Sequence, residues 1–82
     1  MTNTTQRDEE LETLPLRMYR KQELAMCYFP DLSKEAAERN LRRWIKRCSE
    51  LYQGLLDTGY DKNRKFFLRH EVKMIVDYLG EP

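Results

Sequence analysis

The sequence predicts a mainly α-helical domain, small and winged helix-turn-helix-like, with about four short helices and a two- or three-stranded β ribbon. Three observations carry this. Ser33–Cys48 has the period of an amphipathic helix, with Ala37, Leu41, Trp44, Ile45 and Cys48 on one face. A second helical pattern lies just before it, across Pro30-Asp31-Leu32. So short a connection forces the two helices to cross at an angle. Finally, Tyr60–Leu68 breaks the helical period with turn residues and then a β-prone Phe66-Phe67-Leu68 run.

At 82 residues the chain is one domain at most, and its core must be economical. Residues 1–14 read as a disordered acidic arm, and residues 15–82 as the folded domain, opening at Pro15. One Arg against four carboxylates leaves the arm at −3, so residues 15–82 hold +4 of a total of +1. Leu16–Tyr19 could form a short strand. Helix one is expected from about Lys21 to Phe29, with Leu24, Ala25, Tyr28 and Phe29 inward, and Pro30 closes it. Ser33 can cap the second helix by accepting from free backbone N–H groups. A third helix, capped by Ser49, runs Glu50–Thr58 with Leu51, Leu55 and Leu56 toward the core. Gly54 weakens it by roughly 1 kcal/mol relative to Ala and could mark a close backbone approach. Gly59 is the expected left-handed stop. Asp61-Lys62-Asn63-Arg64 is turn chemistry, so Tyr60–Leu68 reads as a hairpin, with Leu16–Tyr19 as a candidate added strand. Helix four begins near Arg69, buries Val72, Ile75, Val76 and Leu79, and stops at Gly80.

No enzyme is expected. The sole imidazole, His70, sits between Arg69 and Glu71 in the first turn of a helix, a surface position, and the carboxylates occupy solvent-type positions. Cys27, Cys48 and His70 match no zinc spacing, and the three glycines form no phosphate-cradling loop, so neither a metal nor a cofactor is expected. Cys27 and Cys48 could bridge, but without a secretory leader two buried, reduced thiols are the expectation. No apolar run approaches the roughly 20 residues that cross a bilayer, which points to a cytoplasmic protein.

The functional signal is basic. Arg39, Arg42, Arg43 and Lys46 share the outer face of the second helix, and Arg47 could extend it. Lys62, Arg64 and Lys65 form a second cluster on the expected wing, flanked by Tyr60 and Phe66. A recognition helix in the major groove with a wing on the adjoining backbone requires cations on both elements. The expected function is therefore a small module for double-stranded DNA, serving transcription regulation or a mobile element. The alternative is an interaction or self-association module on the same scaffold. Glu35 and Glu38 fall where bases would be read and repel phosphate, unless one accepts from a cytosine amino group. A basic stripe opposite an apolar one is also how any solvated amphipathic helix looks. A further option is that the acidic arm folds back over the basic helix. Trp44 is expected in the core beside Leu41 and Ile45, and Tyr28, Tyr52 and Tyr78 as packing residues.

The order Lys21-Gln22-Glu23-Leu24-Ala25, Ser33, Leu41-Arg42-Arg43-Trp44-Ile45, Gly59-Tyr60, Arg64 and Glu71-Val72 resembles MerR-type and excisionase-type winged helix-turn-helix modules. The helix Glu50–Thr58, between recognition helix and wing, departs from that pattern. A second resemblance spans Tyr19 to Pro82. It rests on Glu23-Leu24-Ala25, Tyr28, Pro30-Asp31, Leu41, Trp44-Ile45, Leu51, Gly59-Tyr60, Ile75 and Leu79-Gly80-Glu81-Pro82. It is to a family of short bacterial proteins, domain of unknown function family 4248, and implies no particular binding residues. The closing Leu-Gly-Glu-Pro reads either as a capped chain end or as a docking feature.

Overall fold

The structure, a computed structural model, describes residues 14–82. Apart from Leu14, the expected acidic arm lies outside the described residues. Along the chain come β1 (Tyr19–Arg20), α1 (Lys21–Tyr28), α2 (Lys34–Arg47), α3 (Ser49–Asp57), β2 (Phe66–Phe67) and α4 (Arg69–Leu79). The mainly helical expectation holds, with four helices and one two-stranded antiparallel sheet.

The sheet is not a local hairpin. Its strands are β1 and β2, with Tyr19 opposite Phe67 and Arg20 opposite Phe66. The N–H of Lys21 extends the ladder to the Lys65 carbonyl at 2.9 Å. The stretch before Phe66 offers no strand because it bonds to itself. Asn63 N–H donates to Asp61 Oδ1 at 2.8 Å, and Arg64 N–H to the Asp61 carbonyl at 3.1 Å. Tyr19 and Phe67 are both buried and supply the apolar side of the ribbon.

Local signals set the first two helices. The Arg20 N–H donates to the Glu23 carboxylate (3.3 Å), which steadies the start of α1. At its end Phe29 N–H still reaches the Ala25 carbonyl (2.8 Å), but Pro30 cannot continue the ladder. Ser33 Oγ then accepts from Ala36 N–H at 3.1 Å and starts α2. α1 and α2 bury Leu24, Ala25, Ala37, Leu41 and Ile45 against Leu51 and Leu55 of α3 and Val72 and Ile75 of α4.

The core is narrower than the sequence pattern. Trp44 is 39% exposed. It packs edge-on to Phe29, centroids 4.8 Å apart, at the margin of the α1–α2 contact. The i, i+4 series Ala37-Leu41-Ile45 is the true centre of the buried stripe, which leaves Trp44 on its flank. Leu56 is exposed because it stands one position, about 100°, round from buried Leu55. Tyr78 is exposed too, whereas Tyr28 and Tyr52 pack against the core. Cys27 is an exposed free thiol and Cys48 a half-buried one, correcting the expected buried pair.

Gly54 lies where α3 meets α4. A Cβ there would come within 2.7 Å of Met74 Cε, so the missing side chain admits that methionine. Gly59, at φ 95°, turns the chain out of α3 as expected. The last residues act as a clasp rather than a loose end. Tyr28 donates its hydroxyl proton to the Gly80 carbonyl, and Glu81 Oε1 accepts from Leu14 N–H at 3.0 Å. Burial first, then the nearby Glu81 and Cys27, pushes the Tyr28 hydroxyl up to about 12. Among the described residues no helix is long and apolar enough to cross a membrane.

Candidate nucleic-acid interface

The loop from Tyr60 to Lys65 lies beside α2, and two buried charges hold it there. Lys21, on the first turn of α1, is only 6% exposed. Its ammonium donates to the Asp61 carbonyl (2.9 Å) and the Lys62 carbonyl (3.2 Å), and sits 4.6 Å from the Tyr60 ring centroid. Burial, then the positive charge of Arg64, lowers its pKa from the usual lysine value. Glu71, on the first turn of α4, is fully buried. Arg64 meets it as a fork, Nη1 to Oε1 at 2.9 Å and Nη2 to Oε2 at 3.0 Å, and the Leu68 N–H adds a bond at 2.8 Å. Burial pushes the Glu71 carboxyl up, but the Arg64 and Leu68 hydrogen bonds outweigh it and hold the group below its ordinary value. Replacing Lys21 with Met should cost about 2 kcal/mol, as charged hydrogen bonds to two carbonyls are lost. Urea unfolding of that variant checks this.

These posts change the assignment of Arg64. Expected as a wing contact, its guanidinium instead braces the loop from below, bonding Glu71 together with the Phe66 carbonyl (2.8 Å) and the Gly59 carbonyl (3.3 Å). Lys62 and Lys65 of the same loop stay exposed.

Between loop and helix runs a groove in two joined parts. One, about 340 Å³, is lined by Arg42 and Lys46 of α2, Tyr52, Tyr60, Lys62 and Asn63. The other, also about 340 Å³, shares Lys62 and Asn63 and continues past Lys65, Arg20 and Glu38. Arg42 and Lys46 stand one turn apart on the same flank of α2, as i, i+4 neighbours must. Arg43 and Arg47 occupy another flank by the same spacing. Arg43 Nη1 donates to Asn40 Oδ1 (3.4 Å), and neither it nor Arg39 lines the groove. Glu38 is the one carboxylate in the lining, 3.7 Å from Arg42. Glu35 is exposed one turn earlier.

The expected residues thus divide. Arg42, Lys46, Lys62 and Lys65 come together; Arg39 and Arg43 stand apart, and Arg64, though it also lines the second part of the groove, spends its guanidinium on internal partners. Arg20 and Asn63 belong to the groove although sequence reasoning passed over them. Arg20 was legible from strand alternation, since Tyr19 points inward. Buried Lys21 and Glu71 gave no local signal, and the expectation that carboxylates lie in solvent fails at Glu71. His70 is exposed. Among the described residues no three His, Cys, Asp or Glu side chains gather as metal ligands.

A family model described as Domain of unknown function (DUF4248) matches residues 15–82. The chain belongs to this family. No curated protein and no solved structure matches it. The likeness to MerR-type and excisionase-type modules therefore rests on sequence order alone. The matched stretch of the DUF4248 domain takes in all four helices, both strands, the two charged posts and the Gly80–Glu81 clasp.

Proposed function

We propose that the DUF4248 domain binds double-stranded DNA along the groove between α2 and the 60–65 loop, as a module for transcription regulation or a mobile element. One observation carries this reading: Arg42 and Lys46 of α2 and Lys62 of the loop line a single concavity although helix and loop are far apart in the chain. Three cations so placed can each neutralise a phosphate. Asn63, between them, carries the paired donor and acceptor that read an adenine edge. Glu38 restrains non-specific attraction and suits a cytosine amino group. Arg20 and Lys65 extend the basic track where the groove opens past β1.

The test is a titration of a short labelled duplex at about 50 mM salt, repeated over a salt series. The logarithm of the binding constant should fall linearly with log salt, with a slope of about −2.7 or steeper for three phosphate contacts. Failure to bind at the lowest salt, or binding indifferent to salt, contradicts the proposal.

A further inference from the structure

The two flanks of α2 face different surroundings. Away from the groove, Trp44, Arg47 and Cys48 join Leu79 of α4 around a shallow cleft of about 260 Å³. This lining pairs apolar surface with a guanidinium and includes no carboxylate. Arg43, one turn before Arg47, adds a second exposed cation on the same flank.

The N-terminal end of the described chain is fixed at this corner. Leu14 N–H is bonded to Glu81, two residues beyond Leu79. Next to Glu81, the Gly80 carbonyl accepts from Tyr28, whose ring lies edge-on to Trp44 with centroids 6.4 Å apart. Thirteen residues precede Leu14 outside the described structure. They include Asp8, Glu9, Glu10 and Glu12, with Leu11 among them and Arg7 the only cation.

We propose that the segment Asp8–Glu12 docks on the Trp44–Arg47–Leu79 cleft of its own chain. Its carboxylates face Arg43 and Arg47, and Leu11 lies against Trp44 and Leu79. Reach allows it: an extended chain spans at most about 7 Å from Leu14 to Glu12 and about 20 Å to Asp8. Exposed ion pairs are individually weak. A tether this short, however, raises the segment's effective concentration to the order of millimolar, so weak contacts suffice. Docked there, the acidic segment lies on the Arg43–Arg47 flank, and the groove beside Arg42 and Lys46 stays open.

Trp44 is the only tryptophan, so its fluorescence reports this cleft alone. Acrylamide quenching is compared between the full chain and a full chain carrying Asp8→Asn, Glu9→Gln, Glu10→Gln and Glu12→Gln, with no DNA present. Covering half of the exposed part of Trp44 would halve collisional access, so the variant should give a Stern–Volmer constant about twofold higher. The unaltered chain should approach the variant's value at about 1 M NaCl, where the Debye length shrinks to about 3 Å. Equal constants for the two chains at low salt overturn the proposal. Shielding that grows with protein concentration assigns the cleft to a second copy and overturns it as well. Because DNA is absent, neither outcome depends on the groove reading.

Discussion

Replacing Glu71 with Ala should destabilise the domain by about 3–5 kcal/mol, the cost of leaving one partner of a buried ion pair alone. For a domain this small that approaches its whole stability. The loss has two parts. Arg64, a quarter exposed at its side chain, keeps a charge without its fork-like acceptor. The Leu68 N–H at the start of α4 loses its acceptor as well. Arg64→Ala should cost as much, since it strands a carboxylate that has no access to water. Arg64→Ala also removes the bonds to the Gly59 and Phe66 carbonyls, so residual folded protein of that variant should have lost the groove. Urea unfolding at neutral pH checks both; a change below about 1 kcal/mol for Glu71→Ala would show that the pair is not a post.

The same pair sets an acid limit. The folded Glu71 pKa lies below the ordinary 4.5, so near and below that value the unfolded chain binds more protons than the folded one. The stabilisation is therefore complete above about pH 4.5 and is lost as pH falls through the lower folded value. Glu71→Gln removes the titrating group, and its urea midpoint should fall less over that window than the unaltered protein's.

The second large effect is on binding. Changing Arg42, Lys46 and Lys62 together to Ala should lower duplex affinity by about two to three orders of magnitude at 0.1 M salt, since each phosphate contact contributes about 0.9 decade there. The salt slope should become shallower by about 2.7. All three side chains are exposed, and the 3.7 Å contact of Arg42 with Glu38 is a surface pair, so the fold should survive. Arg43→Ala with Arg47→Ala removes two charges, against three, from the other flank of α2. If the groove is the interface, that control should change affinity by less than about tenfold. Equal losses for the two variants would mean that overall charge, not the groove, attracts the nucleic acid.

Much of the helical frame was legible because its signals are local. Pro30 and Ser33 fixed the turn between α1 and α2, and Gly59 and Gly80 marked the ends of α3 and α4, each through the backbone of a few neighbours. Trp44 was misplaced because helical period gives the direction of an apolar stripe but not where burial stops. The ribbon was harder still. Tyr19 meets Phe67 across most of the chain, and the turn residues that suggested a hairpin spend their hydrogen bonds on one another. Lys21 and Glu71 were illegible for a different reason. A buried charge is tolerated only when distant groups satisfy it, and those groups come together only on folding. Both basic clusters could be read from sequence, but not which of their members border one groove. Arg64 looked like its cluster neighbours until its partner was known.

The most direct measurement is a 15N-labelled chain titrated with unlabelled duplex DNA and followed by backbone amide shifts. The groove reading predicts that the largest changes fall on Arg42, Lys46, Lys62 and Asn63, with lesser ones at Arg20 and Lys65. Little should move around Trp44, Arg47 and Leu79. Shifts centred on that opposite flank, or none at low salt, would contradict it.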